Sequence, residues 1–379
     1  MIEIRLLTEE EMQGAADGAD AVFRDRDMSS MKEAFPFIFN SRTSHSHGLF
    51  MENELLVFMG LVPATARLGS ARLSVLSLGA VYAVEAARNK GYASRLLEAV
   101  KTYGRQAGAS LLLVSGDGPL YSRAGCRKFG DAYRFELNRA FAEANRPDSV
   151  KLQTREALHR DELGMHRLAA ERRSAFEQSI WDFSVLIRTE SNISGHKMKQ
   201  RVYLAGRDGS PDAFAVIAHP TSLSNQPPRV IEWAGEPGAL LKLLAHVMLD
   251  TDMDRLTFTV TASEHELLGA LNTHAFRKER IRNQGTLLVL DAARLIDQLR
   301  PYLEEAAPSS GSRLSARSSE DGSTVLSLPG LPDAVLTHEE LVSLFFDAKP
   351  GPPLPDGWGA AAASLFPLPF PYTDGLNFI

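Results

Sequence analysis

Two hydrophobic periodicities alternate along the chain and then recur. Residues 2–7 predict a short strand, and Thr8-Glu-Glu-Glu11 opens a helix with a capping-box pattern, Thr at the cap and Glu three residues later. Two long apolar runs, 54–68 and 72–84, flank Gly69-Ser70, which predicts antiparallel strands joined by a tight turn. From Tyr92 the period becomes helical. Tyr92, Leu96, Leu97, Val100 and Tyr103 share one face, and the helix stops near Gly108 before a compact apolar strand at 110–114. Strand, helix, strand in that order predicts a parallel crossover.

Asn145-Arg-Pro-Asp148 marks a boundary, beyond which a similar order of elements returns. Strands are expected at 151–155, 201–205, 213–218, 229–233, 255–260 and 286–290, with helices at 161–173, 238–249 and 264–273. After Ala292 the character changes. Residues 304–324 are rich in Ser, Gly and charge and predict an exposed hairpin or loop; 337–346 predicts a capped amphipathic helix, and 349–356 is rich in Pro. The final residues, 366–379, are too apolar for a loose terminus and are expected to be tied down against protein. The chain is therefore divided into units at 1–145, 146–291 and 292–379, in an α/β class with mixed sheets.

Composition narrows the function. With 379 residues, 44% hydrophobic and 23% charged, the chain has enough material for two or three cores. Lysine and arginine number 41 against 47 acidic residues, a net charge of −6, which offers no general grip on nucleic acid or an anionic membrane and suits a cationic partner better. The single cysteine, Cys126, excludes an internal disulfide and a cysteine-built zinc site, and it is expected to be an inert core residue. His45-Ser-His47 would place two rings on one side of a strand, but no third ligand is evident, so no metal is expected. The acidic N-terminus does not resemble a signal peptide and no apolar run has the length of a membrane span, so a soluble cytoplasmic protein is expected.

One stretch carries candidate chemistry. After the strand ending at Val84, the turn Arg88-Asn89-Lys90-Gly91 leads directly into the helix that starts Tyr92-Ala93-Ser94. Backbone N–H groups and the positive end of the helix dipole converge there, and basic residues at such a place ask for an anion, which makes it a pyrophosphate cradle. In the second unit Trp233-Ala-Gly-Glu-Pro-Gly238 stands at the corresponding place, and Glu236 would supply the negative charge from the protein itself.

The pattern Arg88-x-x-Gly91-x-Ala93 resembles the Q/R-x-x-G-x-G/A loop with which GNAT acetyltransferases bind acetyl-coenzyme A. The run from Val114 to Cys126, with Tyr121 ahead of Gly125, resembles that family's tyrosine-containing stretch. Two GNAT-like units, the second without a phosphate loop, followed by a small module, resemble the enhanced intracellular survival (Eis) type of acetyltransferase. That resemblance implies a third module like a reduced sterol-carrier fold, a homo-oligomer, and direct acetyl transfer to an amine. It implies that Tyr121 protonates the departing thiolate and that the C-terminal carboxylate, here of Ile379, acts as base. Many members of the wider family carry a glutamate in the strand before the loop, whereas Ser74-Val-Leu-Ser-Leu-Gly79 has no carboxylate. Coenzyme contacts are expected from Val81 and Ala83 main chain, residues 88–94 and Ser115, and acceptor contacts from Phe23, Phe35, Phe37 and the seam between units. A coenzyme A sensor without catalysis, and a lipid-binding module at the C-terminus, are the competing expectations.

Overall fold

A computed structural model describes residues 1–40, 42–147, 152–207, 210–272, 277–348 and 351–379. Asp148, Lys151, Thr273 and residues 349–350 of the expected elements lie outside the described residues. The strands of the first stretch are β1 (Ile2–Leu6), β2 (His47–Met51), β3 (Glu54–Leu68), β4 (Ala71–Ala83), β5 (Leu111–Val114) and β6 (Asp131–Asn138). Those of the second are β7 (Gln153–Glu156), β8 (Ser174–Phe176), β9 (Met198–Arg207), β10 (Ser210–Pro220), β11 (Arg229–Gly235), β12 (Arg255–Thr261), β13 (Arg277–Arg282) and β14 (Thr286–Val289). Three short strands, β15 (Ser315–Ser318), β16 (Thr324–Ser327) and β17 (Ala334–Leu336), form a small antiparallel sheet near the C-terminus.

The predicted crossover is present. β3 and β4 pair antiparallel, the helix Tyr92–Gln106 follows, and β5 returns parallel to β4 with Val75 opposite Leu111 and Leu78 opposite Val114. Strand alternation gives the sheet two buried faces. Val57, Met59 and Leu61 of β3 pack on Leu96, Leu97 and Val100 of that helix. Phe58 packs on the other face with Met12, Ala15 and Ala19 of the helix Glu11–Phe23. The Glu11 carboxylate accepts from the backbone N–H of Thr8 at 2.8 Å, one half of the expected capping box, but Thr8 is not the cap: the helix begins at Glu11, with Glu10 at its cap and no side-chain cap bond. Glu11 also holds Arg5 through two hydrogen bonds of 2.7 Å.

Pairing between strands departs from the division at 145 and 291. The first sheet runs β1-β2-β3-β4-β5-β14, with β8 also on β3, and the second runs β13-β6-β12-β11-β10-β9-β7. Thus β6, from the first stretch, pairs with β12 and β13, while β14, from the second, pairs antiparallel with β5. The first sheet takes β8 and β14 from the second stretch, and the second sheet takes β6 from the first. Local pattern cannot decide this, because an apolar strand fits any free edge of matching length.

A second departure lies beyond Asp291. The helix Ala292–Ala306, capped by the Asp291 side chain on Arg294 N–H at 2.9 Å, occupies a stretch for which no element was expected and runs into the expected loop. The helix His338–Phe346 is capped by Thr337 as predicted. The interior of the C-terminal module is filled by rings. Trp358 is fully buried and Phe345 stacks on Phe366 with centroids 4.7 Å apart. Its core is continuous with β3, β4 and β5 of the first sheet.

Phe129, between the two exchanged strands' sheets, ties these parts together. It is fully buried and meets Phe346 and Phe370 edge to face at 5.9 and 5.5 Å. Phe129→Ala is expected to cost about 3–5 kcal/mol, seen in urea unfolding as a lower midpoint with an unchanged slope.

Candidate functional site

β4 is irregular where it matters. Gly60 pairs with Gly79 and Phe58 with Tyr82, so Met59 alone faces Ala80 and Val81, a β-bulge in which Ala80 takes a φ of 49°. The β4–β5 register stops at Leu78 and Val114, and the last link is the Ser115 N–H donating to Leu78 O at 3.1 Å. β4 continues to Ala83 while the other chain turns away, so the two strands diverge from Gly79 onward. Val81 and Ala83 lie on the free stretch of β4, half-buried.

The basic turn follows directly. Arg88, Asn89, Lys90 and Gly91 are exposed, Asn89 has φ 59° and Gly91 has φ 74°. A Cβ at Gly91 would meet nothing within 4 Å, so the glycine is required by its backbone conformation and not by crowding within the chain. Gly91 caps the helix Tyr92–Gln106 without a side-chain hydrogen bond, and no acidic residue sits in its first turn. The N–H groups of Tyr92, Ala93 and Ser94 therefore face outward with the dipole uncompensated. In the second unit Glu236 accepts from Gly238 N and Ala239 N at 2.8 and 2.6 Å, which fills the equivalent place.

Residues 3–129 match the family model described as acetyltransferase (GNAT) domain. This segment is a GNAT acetyltransferase domain. It makes the chain an acyltransferase enzyme. No curated protein matches the chain in sequence. The GCN5-related N-acetyltransferase from Anabaena variabilis shares the fold with a TM-score of 0.66 at 13% identity, over 91% of this chain and 90% of that one. That from Kribbella flavida gives 0.63 at 16%, over 91% and 88%. Eis1 from Mycobacterium abscessus gives 0.62 at 12%, over 90% and 89%. Identities this low speak for the fold alone.

The C-terminal tail enters the GNAT domain at the point where its strands part. A Cβ built on Gly79 would lie 2.5 Å from both the main-chain carbon and oxygen of Ile379. Ser115 lines a narrow cleft there with Ile379, Phe378 and Ser77. A cavity of about 260 Å³ opens beside it, walled by Phe35, Phe37, Ile38, Val62, Phe378 and Ile379, among others. Phe35 and Phe37 thus sit where the sequence suggests, whereas Phe23 is exposed at the end of its helix and is not among the residues lining this cavity. Tyr121 is not gathered onto the same wall. It lies on the short helix Pro119–Arg123, its ring 2.9 Å from where a Cβ on Gly116 would stand, packed with the core that includes Leu96, Leu97 and Val100. Burial pushes its hydroxyl up to about 12, with neighbouring Cys126 adding to the shift. Burial likewise pushes the Cys126 thiol up to about 11, which keeps it protonated and inert.

His45 and His47 do not share a strand face. β2 starts at His47, which packs edge-on against Tyr103 at 4.6 Å, while His45 sits in the preceding loop, lines the 260 Å³ cavity and hydrogen-bonds Tyr103 Oη through Nδ1. Among the described residues no cluster of His, Cys, Asp or Glu could hold a metal ion, and no helix is long and apolar enough to cross a membrane.

Polar side chains of the second stretch hold the tail, a role sequence reasoning missed. Ser174 Oγ donates to Pro369 O. Asn283, buried, donates to Pro371 O at 2.9 Å and accepts from both N and Oγ1 of Thr373 at 2.9 Å. Arg229 pairs with Asp374 at 2.9 Å, and Gln178 donates to Asn377 at 2.5 Å. Glu232 accepts from the backbone N–H of Leu376; burial raises its carboxyl above the usual range, against the pull of Arg172 at 2.7 Å. Their only signal was their polarity at expected strand and turn positions. Asn283→Ala removes three of these bonds and leaves the Thr373 N–H unpaired. Carboxypeptidase is expected to release the final residues roughly tenfold faster than from the unaltered protein, monitored by mass spectrometry.

Proposed function

We propose that the chain is an acetyl-coenzyme A-dependent N-acetyltransferase that transfers the acetyl group directly to a primary amine. The observation that carries this is the approach of Ile379 to Gly79, at the parting of β4 and β5, on the same strand that leads into the basic turn. Residues 88–94 would hold the pyrophosphate, and the main chain of Val81 and Ala83 would hold the pantetheine arm and polarise the thioester carbonyl. Ser115, at the opposite lip, would border the arm.

An amine acceptor is mostly ammonium at neutral pH and must lose a proton before it attacks. The Ile379 carboxylate is assigned as the base that takes it, directly or through one water. The amine nitrogen then bonds to the acetyl carbon, the carbon–sulfur bond breaks, the departing thiolate receives the phenolic proton of Tyr121, and the nitrogen's remaining excess proton returns to the Tyr121 phenolate. Ile379 packs with the core on the face of the first sheet that carries the helix Glu11–Phe23, and Tyr121 with the core on the face that carries the helix Tyr92–Gln106, so the proposed base and acid would approach from opposite faces. A hydroxyl near 12 is a weak acid in water, but a thiolate leaving in the same dry surroundings is made more basic by the same desolvation.

Gly79→Ala adds a methyl group where the Ile379 main chain lies. It is expected to lower kcat/KM by roughly 10²-fold while acetyl-coenzyme A affinity by calorimetry stays within about threefold. Residues appended after Ile379 should do the same. An appended protein with full turnover would remove the base assignment.

Tyr121→Phe is expected to lower kcat by roughly 10²-fold with coenzyme affinity retained. Because its hydroxyl is pushed up to about 12, Tyr121 stays protonated below that pH and loses its proton only above it. The pH–rate profile of the unaltered protein should therefore show no alkaline decline up to about pH 10.

A further inference from the structure

Resting on the transfer function proposed above, we infer that His45 is an acceptor-binding residue, which holds a second hydrogen-bonding group of the acceptor while the reacting amine lies at Ile379. Most polar side chains on the cavity beside Ile379 already have partners within the protein. Glu177 pairs with Arg72 at 2.7 Å and lies 3.8 Å from Arg67. Asp182 accepts from Ser179 N at 2.9 Å and Ser179 Oγ at 2.7 Å, Ser191 Oγ donates to Ala34 O at 2.9 Å, and Gln178 and Asn377 hydrogen-bond each other. Among the described residues, the lining groups left without a partner in the chain include the Ile379 carboxylate, the hydroxyls of Ser77 and Thr43, and one ring nitrogen of His45.

These four groups fall at two places. Ser77 stands two residues before Gly79 on β4, where Ile379 arrives. His45 lies on the other side of β3, because β2, which it precedes, pairs with one edge of β3 and β4 with the other. The two places are also level along the strands. Ser46 Oγ accepts from Leu61 N–H at 3.3 Å, and the neighbouring Gly60 is the partner of Gly79. Two strand spacings put them ~10 Å apart. Val62, on the intervening strand, with Phe35, Phe37 and Ile38, supplies apolar wall.

The imidazole is braced on one side. Its Nδ1 hydrogen-bonds Tyr103 Oη, His47 packs edge-on against Tyr103 at 4.6 Å, and His47 Nδ1 donates to His45 O at 2.8 Å. Whichever tautomer His45 takes, Tyr103 uses Nδ1, and Nε2 is the nitrogen left for a ligand. A ring already held in this way has little rotational freedom to lose when it binds. A hydroxyl, amino or carbonyl group can pair with Nε2, whereas an alkyl end would leave it unpaired and stripped of water. With a hydrogen bond of ~3 Å at each end, roughly three to five carbons between the amine and the second group span the gap. Amino alcohols, polyamines and amino sugars all carry such a pair of groups, and a plain alkylamine does not. Tyr103, which acts through His45, is a positioning residue.

The test compares 4-amino-1-butanol with pentylamine, which have the same length and differ at the far end by a hydroxyl against a methyl group. Acetyl transfer is followed by release of free coenzyme A. The unaltered protein should prefer the amino alcohol in kcat/KM by roughly threefold or more, although a hydroxyl is costlier to desolvate than a methyl group. His45→Leu should lower that ratio at least tenfold, about 1.4 kcal/mol. Tyr103→Phe, which loosens the ring but leaves it in place, should raise KM for the amino alcohol with kcat kept within about twofold. Acetyl-coenzyme A affinity within about threefold in both variants shows that the fold is retained, and Tyr103→Phe alone carries the test if His45→Leu loses it. An unchanged ratio in a folded His45→Leu, an unchanged KM in Tyr103→Phe, or a preference for pentylamine by the unaltered protein would overturn the inference and leave the transferase function standing. Turnover with neither amine would overturn both.

Discussion

The candidate site hangs on how the last residues are held. An apolar segment gains by leaving water, but it brings its main-chain N–H and C=O groups along, and these must be paired wherever they are buried. Asn283 serves Pro371 and Thr373, Glu232 serves Leu376, and Gln178 holds Asn377. Phe378 then packs beside Phe35, and Ile379 arrives against Gly79. Most of these side chains come from the second stretch of the chain. That stretch has its own helix N-terminus closed by Glu236, so its contribution to the site is mechanical: it aims a segment that belongs to neither sheet.

The contrast between the two helix starts shows how one plan serves two ends. After β4 the turn has Gly91 in a left-handed conformation and no acidic residue, and the helix dipole faces outward. After β11 the turn carries a carboxylate that takes two of the first N–H groups. A single residue type at the cap decides whether such a place attracts an anion from outside or is satisfied within the chain.

What could be read in the sequence was what neighbours in the chain decide. The crossover from β4 through the helix Tyr92–Gln106 to β5, the basic turn, Thr337 as a cap and Glu236 as a filler all rest on residues within a few positions of each other. The destinations of β6 and β14 were not legible, since Phe135 and Leu287 would be equally well buried in either sheet. Nor was the helix Ala292–Ala306, although Leu295, Ile296, Leu299, Tyr302 and Leu303 make a helical face; Pro301 and the serine-rich stretch that follows gave the opposite signal. At the site, the turn and Tyr121 were visible as motifs. Gly79 was not, because a glycine in a strand announces a close approach without naming the partner, and the partner here is 300 residues away in sequence.

The exchange of β6 and β14 also orders events in time. A chain emerges from the ribosome from its N-terminus, and domains commonly fold as they emerge. Here the edge of β5 has no neighbour until Thr286–Val289 has been made, and β6 must wait for Arg255–Thr261. From residue 138 until residue 255 has been made, two strand edges stand open together, the condition under which nascent chains pair wrongly or with each other. A fold interlocked in this way resists separation once complete, and it leaves the growing chain in need of shelter until the second half arrives.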